Sequence, residues 1–155
     1  MPTIYEAQPC CAIVANPELK GRLGRIVVAY PAGAAFKSSG PRTDIFRAGD
    51  AKSLRTDYGN LAVEMTPGTY ELTIGGQKIP GVVVEPRSDT LVKVGVLQLN
   101  ASGNTRFDLF PGGGKTALQT LYGQSAIGLP PGTYEVQVNG QREVVTIRAG
   151  VITEY

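Results

Sequence analysis

The sequence predicts an all-β chain made of two copies of one antiparallel sandwich. Three observations predict it. The chain repeats itself at an offset of 64 residues. Inside each copy the apolar residues recur with a period of two, the period of a half-buried strand. And 20 Gly with 11 Pro in 155 residues is well above the average share of roughly twelve per cent, as a fold rich in tight turns requires.

The repeat is plainest at Pro67-Gly68-Thr69-Tyr70-Glu71, which recurs as Pro131-Gly132-Thr133-Tyr134-Glu135. Sliding residues 42–78 onto 106–142 gives 16 identities in 37 positions without a gap. Removing one residue beyond that aligns Val83-Val84 with Thr146-Ile147 and Thr90 with Thr153. On the other side Ile26–Tyr30 is matched to Val96–Asn100, with about seven extra residues around Gly33–Gly40 in the first copy. The organisation expected is an N-terminal arm over 1–23, repeat A over 24–94 and repeat B over 95–155.

Each element then follows. Tyr70, Leu72 and Ile74 alternate with Thr69, Glu71 and Thr73, and Tyr134, Val136 and Val138 alternate with Thr133, Glu135 and Gln137. Pro-Gly before each run sets a turn, and Gly75-Gly76 or Asn139-Gly140 after it opens a hairpin. Short runs at 26–30, 43–46, 61–65, 82–85 and 91–94 read as strands, as do 96–100, 106–110, 125–129, 143–148 and 151–155. No long stretch keeps a helical period. Six or seven strands per repeat, with turns between them, suit an immunoglobulin-like or prealbumin-like sandwich. Gly95 joins two strand-like runs without linker composition, so the sandwiches are either rigidly joined or packed as one unit. A unit of 60–70 residues buries little surface alone, which favours contact between them.

Composition excludes several classes of chemistry. The chain has no His, so no His-based triad, imidazole base or His–metal site exists. A net charge of +2, with no basic run, is no nucleic-acid footprint. Apolar runs of four or five residues cannot span a membrane. Met1 to Cys11 shows no signal peptide, so the chain is either cytosolic or begins after a removed leader. Cys10 and Cys11 are adjacent, and ring strain disfavours a bond between neighbours. They are expected as idle thiols or as one half of an intermolecular disulfide, and without His or further Cys they complete no zinc site.

Four constellations are candidate sites. Pro111-Gly112-Gly113-Gly114-Lys115-Thr116 invites a phosphate-loop reading, but the motif needs Gly where Leu109 stands. A hairpin turn is expected there. Arg42, Asp44 and Phe46, and their counterparts Arg106, Asp108 and Phe110, share one strand face. They form the candidate interaction surface, with Arg offered to a carboxylate or phosphate and Phe to a sugar or apolar group. Tyr58 and Tyr122, each before Gly, and Tyr70 and Tyr134, after Pro67-Gly68 and Pro131-Gly132, are expected to bury their rings and bond backbone, as tyrosines at sandwich corners do. Carboxylates occur singly, with no pair that suggests a glycosidase and no calcium-loop cluster.

Leu129-Pro130-Pro131-Gly132-Thr133-Tyr134-Glu135-Val136-Gln137-Val138 resembles the PxGxYxVxV hairpin of PEGA-type and carboxypeptidase-regulatory-like sandwiches. Phe107 to Phe110, Tyr122-Gly123, Pro131 to Tyr134 and Val144 to Tyr155 also resemble a bacterial secreted tandem domain of unknown function. The resemblance covers most of repeat B and repeat A less closely. It implies a periplasmic or extracellular location and a non-catalytic role.

The expectation is therefore a scaffold or protein-interaction module of the bacterial envelope, with no catalytic, cofactor or metal site. Its partner would be a protein or a second copy of itself, and not nucleic acid. A carbohydrate-binding or adhesion module that takes a cell-surface glycan is the alternative, and a small hydrolase the third reading.

Overall fold

The computed structural model describes residues 10–34, 36 and 40–155. Among them the chain forms only strands: β1 (Cys11–Ala15), β2 (Gly24–Val28), β3 (Arg42–Arg47), β4 (Arg55–Tyr58), β5 (Leu61–Met65), β6 (Gly68–Ile74), β7 (Gln77–Val84), β8 (Ser88–Val92), β9 (Gly95–Leu99), β10 (Arg106–Pro111), β11 (Gln119–Tyr122), β12 (Ser125–Leu129), β13 (Gly132–Val138), β14 (Gln141–Ile147) and β15 (Ile152–Glu154). Sheet I has the order β1-β8-β2-β5 and sheet II the order β4-β3-β6-β7. Sheet III is β12-β9-β15 and sheet IV β11-β10-β13-β14.

Ile26, Val28, Ile45, Leu72, Ile74 and Val82 are fully buried between sheets I and II. Leu97, Leu99, Leu109, Leu129 and Ile147 do the same between III and IV. Each is the inward half of an alternating strand, so the period of two becomes a core directly.

The sandwiches match strand for strand, β2 to β8 on β9 to β15. The one-residue gap beyond residue 78 is a β-bulge: the β6–β7 register shifts by one between Tyr70 and Leu72, whereas β13–β14 keeps one register. One sequence match is corrected. Gly24 pairs with Met65 and Gly95 with Leu129, so Ile26 corresponds to Leu97 and not to Val96. The slip matters, because one residue of shift exchanges the two faces of a strand. The four-residue strands β4 and β11 were not foreseen, because their mostly exposed, polar residues carry no alternating apolar signal.

Of the N-terminal arm, residues 1–9 lie outside the described residues. Cys11–Ala15 pairs antiparallel with β8 and has no counterpart in the second sandwich. The expectation for the cysteines is corrected: Cys10 and Cys11 are bonded to each other. Lys93 N–H donates to the Cys10 carbonyl at 2.9 Å and Cys11 lies opposite Val92, so the sheet end holds both residues side by side.

The sandwiches meet through the outer face of sheet III. Val96, Ala126 and Ile152 point away from their own core and join the apolar cluster of the first sandwich. Tyr30 and Phe36 meet edge to face at 5.5 Å in that cluster. Gly128 admits the Tyr30 ring so closely that a Cβ would stand 2.3 Å from it. Gly75, at the β6–β7 turn with φ +63°, abuts the Gly128 carbonyl, which a Cβ would meet at 2.5 Å.

Candidate interaction surface

Strand alternation turns Arg42 and Asp44 outward on β3, and Arg106 and Asp108 outward on β10. Each pair is tied together by the same bonds. Arg42 Nε donates to Asp44 Oδ1 at 3.2 Å, and Thr56 Oγ1 donates to the same oxygen. Arg106 Nε donates to Asp108 Oδ1 at 3.3 Å, and Thr120 Oγ1 donates to it at 2.7 Å. The threonines come from β4 and β11, which the sequence did not reveal. The ion pairs are exposed and each contributes under about 1 kcal/mol. Their effect is to hold both carboxylates as hydrogen-bond acceptors in fixed positions.

The tyrosines divide into two kinds. Tyr70 and Tyr134 are buried, and their hydroxyls donate to Thr66 O at 2.6 Å and Pro130 O at 2.7 Å. Burial pushes the Tyr134 phenol up to about 12. Tyr58 and Tyr122 depart from the expected burial: both are 54% exposed. They sit on edge strands, directly opposite Arg42 and Arg106, and so extend the outward row instead of the core. The row is Arg42, Asp44, Thr56 and Tyr58 in one sandwich, and Arg106, Asp108, Thr120 and Tyr122 in the other.

Phe110 leaves the surface predicted for it. It is 7% exposed, with the Arg142 guanidinium 3.6 Å from its ring centroid. Arg142 is itself anchored, Nη1 donating to Gly114 O at 2.9 Å and Nε to Gln137 Oε1 at 3.1 Å. No face of this ring is free to stack on a sugar. Its counterpart Phe46 stays partly exposed. The same cluster fills the Pro111–Thr116 loop, because Gly113 N–H donates to Glu135 Oε2 at 2.8 Å. A phosphate would find that amide taken.

Two clefts result. The first, of about 670 Å³, lies between the sandwiches and holds Arg42, Asp44, Gly75 and Gly76 against Thr120 and Tyr122. The second, of about 650 Å³, is polar and holds Arg106, Asp108, Gln137, Asn139 and Gly140 with Ser102 and Asn104. Arg42, Asp44, Thr73, Gly75 and Gly76 in one cleft occupy the places of Arg106, Asp108, Gln137, Asn139 and Gly140 in the other. The second sandwich covers the first cleft, and nothing described covers the second. Among the described residues, no group of three or more His, Cys, Asp and Glu is placed to hold a metal ion, and no helix is long and apolar enough to cross a membrane.

No protein-family model and no curated protein matches the chain. Among solved structures it is similar to the Bacillus anthracis TIE protein, at 13% identity and a TM-score of 0.38 over 86% of this chain. The chain spans about a third (33%) of that structure's length. It is also similar to GBS52, the minor pilin of Streptococcus agalactiae, at 11% identity and a TM-score of 0.36, over 85% of this chain and 93% of the pilin.

Proposed function

We propose that the chain is a non-catalytic scaffold or protein-interaction module of the bacterial envelope, made of two sandwich repeats that divide at Val94–Gly95. The observation that carries this reading is the matched outward row of Arg, Asp, Thr and Tyr, ordered by its own hydrogen bonds in both sandwiches. A carboxylate already engaged by Arg and Thr is a fixed recognition group and a poor general base. The Cys10–Cys11 disulfide supports an oxidising compartment, and the resemblance to PEGA-type hairpins supports the envelope. Fractionation of the native host tests the reading. Recovery from the envelope or medium with Cys10 and Cys11 oxidised is expected. Recovery from the cytosol with both thiols reduced overturns it.

A second reading is favoured by one observation. Tyr122 is exposed and lies opposite Arg106, a pairing suited to stacking on a sugar while the guanidinium takes its oxygens. A glycan array separates the two. Saturable binding that is lost in Tyr122→Ala and Arg106→Ala makes this a carbohydrate-binding module, and no binding leaves the protein-interaction reading in place.

A further inference from the structure

Sheets I and III are counterparts, yet sheet I has four strands and sheet III has three. The missing strand is the equivalent of β1. In the first sandwich β1 lies antiparallel on the edge of β8, with Ala12 opposite Leu91 and Val14 opposite Asp89. The bonds at either end, from Lys93 N–H to Cys10 O and from Asn16 N–H to Arg87 O, fix the parity. Cys10, Ala12, Val14 and Asn16 turn their backbone groups toward β8, and Cys11, Ile13 and Ala15 turn theirs outward.

The parity of β15 follows in the same way. Val96 N–H donates to Val151 O, and Tyr155 N–H donates to Gln98 O, so 151, 153 and 155 face β9. Ile152 and Glu154 point their N–H and C=O groups to the other side. These are the counterparts of Asp89 and Leu91, the two residues that hold β1 in the first sandwich. Among the described residues no strand pairs there, because β15 is an edge of sheet III. The stretch that supplies β1 ahead of β2 in the first sandwich is replaced ahead of β9 by Lys93 and Val94 alone, which link it to β8.

The chain carries a matching donor. β1 reads Cys-Ala-Ile-Val-Ala, with no charge and no proline, and Ile13 and Val14 are 43% and 49% exposed. An uncharged apolar edge with free backbone groups is a template for pairing with another chain. We propose that β1 of one copy adds antiparallel to β15 of a second copy, Cys11 and Ile13 exchanging backbone hydrogen bonds with Glu154 and Ile152. The contact is head to tail, so an open assembly always keeps one free β15 at one end and one free β1 at the other, and it grows or closes into a ring. This rests on the reading of the chain as an interaction module and names its partner as a second copy.

The test uses two variants of the full chain. Ile13→Pro removes an N–H that points away from β8, and Glu154→Pro removes one that points away from β9, so both strands keep their internal pairing. Sedimentation velocity from about 1 μM to about 1 mM, a range that covers weak association, should show wild-type mass rising with concentration. Each variant alone should stay monomeric with an unchanged circular dichroism spectrum and melting temperature. An equimolar mixture should form a dimer and nothing larger, because Ile13→Pro keeps an intact β15 and Glu154→Pro an intact β1. Amide exchange at Ile13, Ile152 and Glu154 should slow as wild-type concentration rises. If Ile13→Pro unfolds, Ile13→Lys, which places a charge on the edge, takes its place. A wild-type protein that stays monomeric throughout, or a mixture of folded variants that stays monomeric, overturns the proposal. Either result leaves the envelope reading intact, and cytosolic recovery in the fractionation would leave the pairing intact.

Discussion

The outer faces of sheets I and III are the same surface in two copies, and they have opposite fates. On sheet I that face carries Arg25, Glu64 and Asp89. Arg25 Nε and Nη2 bind both oxygens of Asp89 at 2.9 and 2.8 Å, and Asn16 Nδ2 adds a third bond at 3.1 Å. On sheet III the corresponding residues are Val96, Gly128 and Ile152. Val96 is fully buried, Ile152 packs against the first core, and Gly128 lies under the Tyr30 ring. Three changes, from Arg to Val, Glu to Gly and Asp to Ile, turn a solvated sheet into an interface. The strands beneath do not change their register. Duplication supplied the architecture, and side-chain size and charge on one face decided which copy would be covered.

The sharpest way to break the comparison is to give sheet III the residue of sheet I. Val96→Arg would place a guanidinium in the apolar junction with no carboxylate beside it, because Ile152 stands where Asp89 would be. A buried unpaired charge costs about 3–5 kcal/mol. Differential scanning calorimetry should show a single transition for wild type and two transitions for the variant, as the sandwiches uncouple. One transition at the wild-type temperature would mean that this face is not an interface.

A smaller effect comes from the turn that touches it. Gly75 and Asn139 are counterparts, both with positive φ, at +63° and +53°. Asn tolerates that conformation better than most residues, and at 139 its side chain meets open cleft. At 75 any Cβ strikes the Gly128 carbonyl, which is backbone and cannot swing aside. Gly75→Asn should therefore cost about 1–3 kcal/mol as an overpacking change. The reciprocal Asn139→Gly should cost well under about 1 kcal/mol, the entropy of one added glycine. Urea denaturation of the two variants measures the difference, and equal losses would remove the close approach as its cause.

That contrast also marks how far the sequence could be read. Strand alternation and the Pro-Gly-Thr-Tyr hairpins were legible, because each is a local pattern written twice; the bulge in β7 showed only as a one-residue gap between the copies. The Ile26–Leu97 correspondence was missed by one residue, since the bulk of Val and Ile does not say which of two adjacent apolar residues faces in. The fates of Tyr58 and Phe110 were not legible either. They depend on whether a strand is at an edge and on a cross-strand neighbour such as Arg142. For the junction a signal did exist: once the register is right, positions 25, 64 and 89 lose their charges in the second copy. The adjacency of Cys10 and Cys11 was legible, but ring strain does not prevent the bond between them.

The junction and the second hairpin also share a response to alkali. Burial pushes the phenols of Tyr30, at the junction, and Tyr134, at the hairpin, up to about 12. For Tyr30 the Thr43 hydroxyl acts in the opposite direction and more weakly. In the unfolded chain a tyrosine ionises near 10. A raised folded value means that this stability is complete below about pH 10 and is lost as the pH climbs toward about 12. Stability measured between those limits should fall, and it should fall less in Tyr30→Phe and in Tyr134→Phe. The Tyr134 variant should also lose about 1 kcal/mol at neutral pH with its bond to Pro130 O. An unchanged alkaline slope in both variants would place the titrating groups elsewhere.

The smallest effect comes from converting sheet I toward sheet III with Arg25→Val and Asp89→Ile together. The guanidinium beside Asp89 holds that carboxyl below its ordinary range, through its hydrogen bonds first and its charge second. A depressed folded value contributes stability that is present above the unfolded pKa, near 3.8, and lost as the pH falls through the folded one. The pair is partly exposed, so its contribution is under about 1 kcal/mol. The double variant should thus match wild type closely at pH 7 and lose less stability on acidification. Asp89→Ile alone should do worse than the double variant, because Arg25 keeps its charge without a partner. If the double variant instead loses several kcal/mol at neutral pH, the charged face is holding the sheet together. If it melts like wild type, the ion pair's role is to keep sheet I solvated, and the difference between the two faces is one of partner choice.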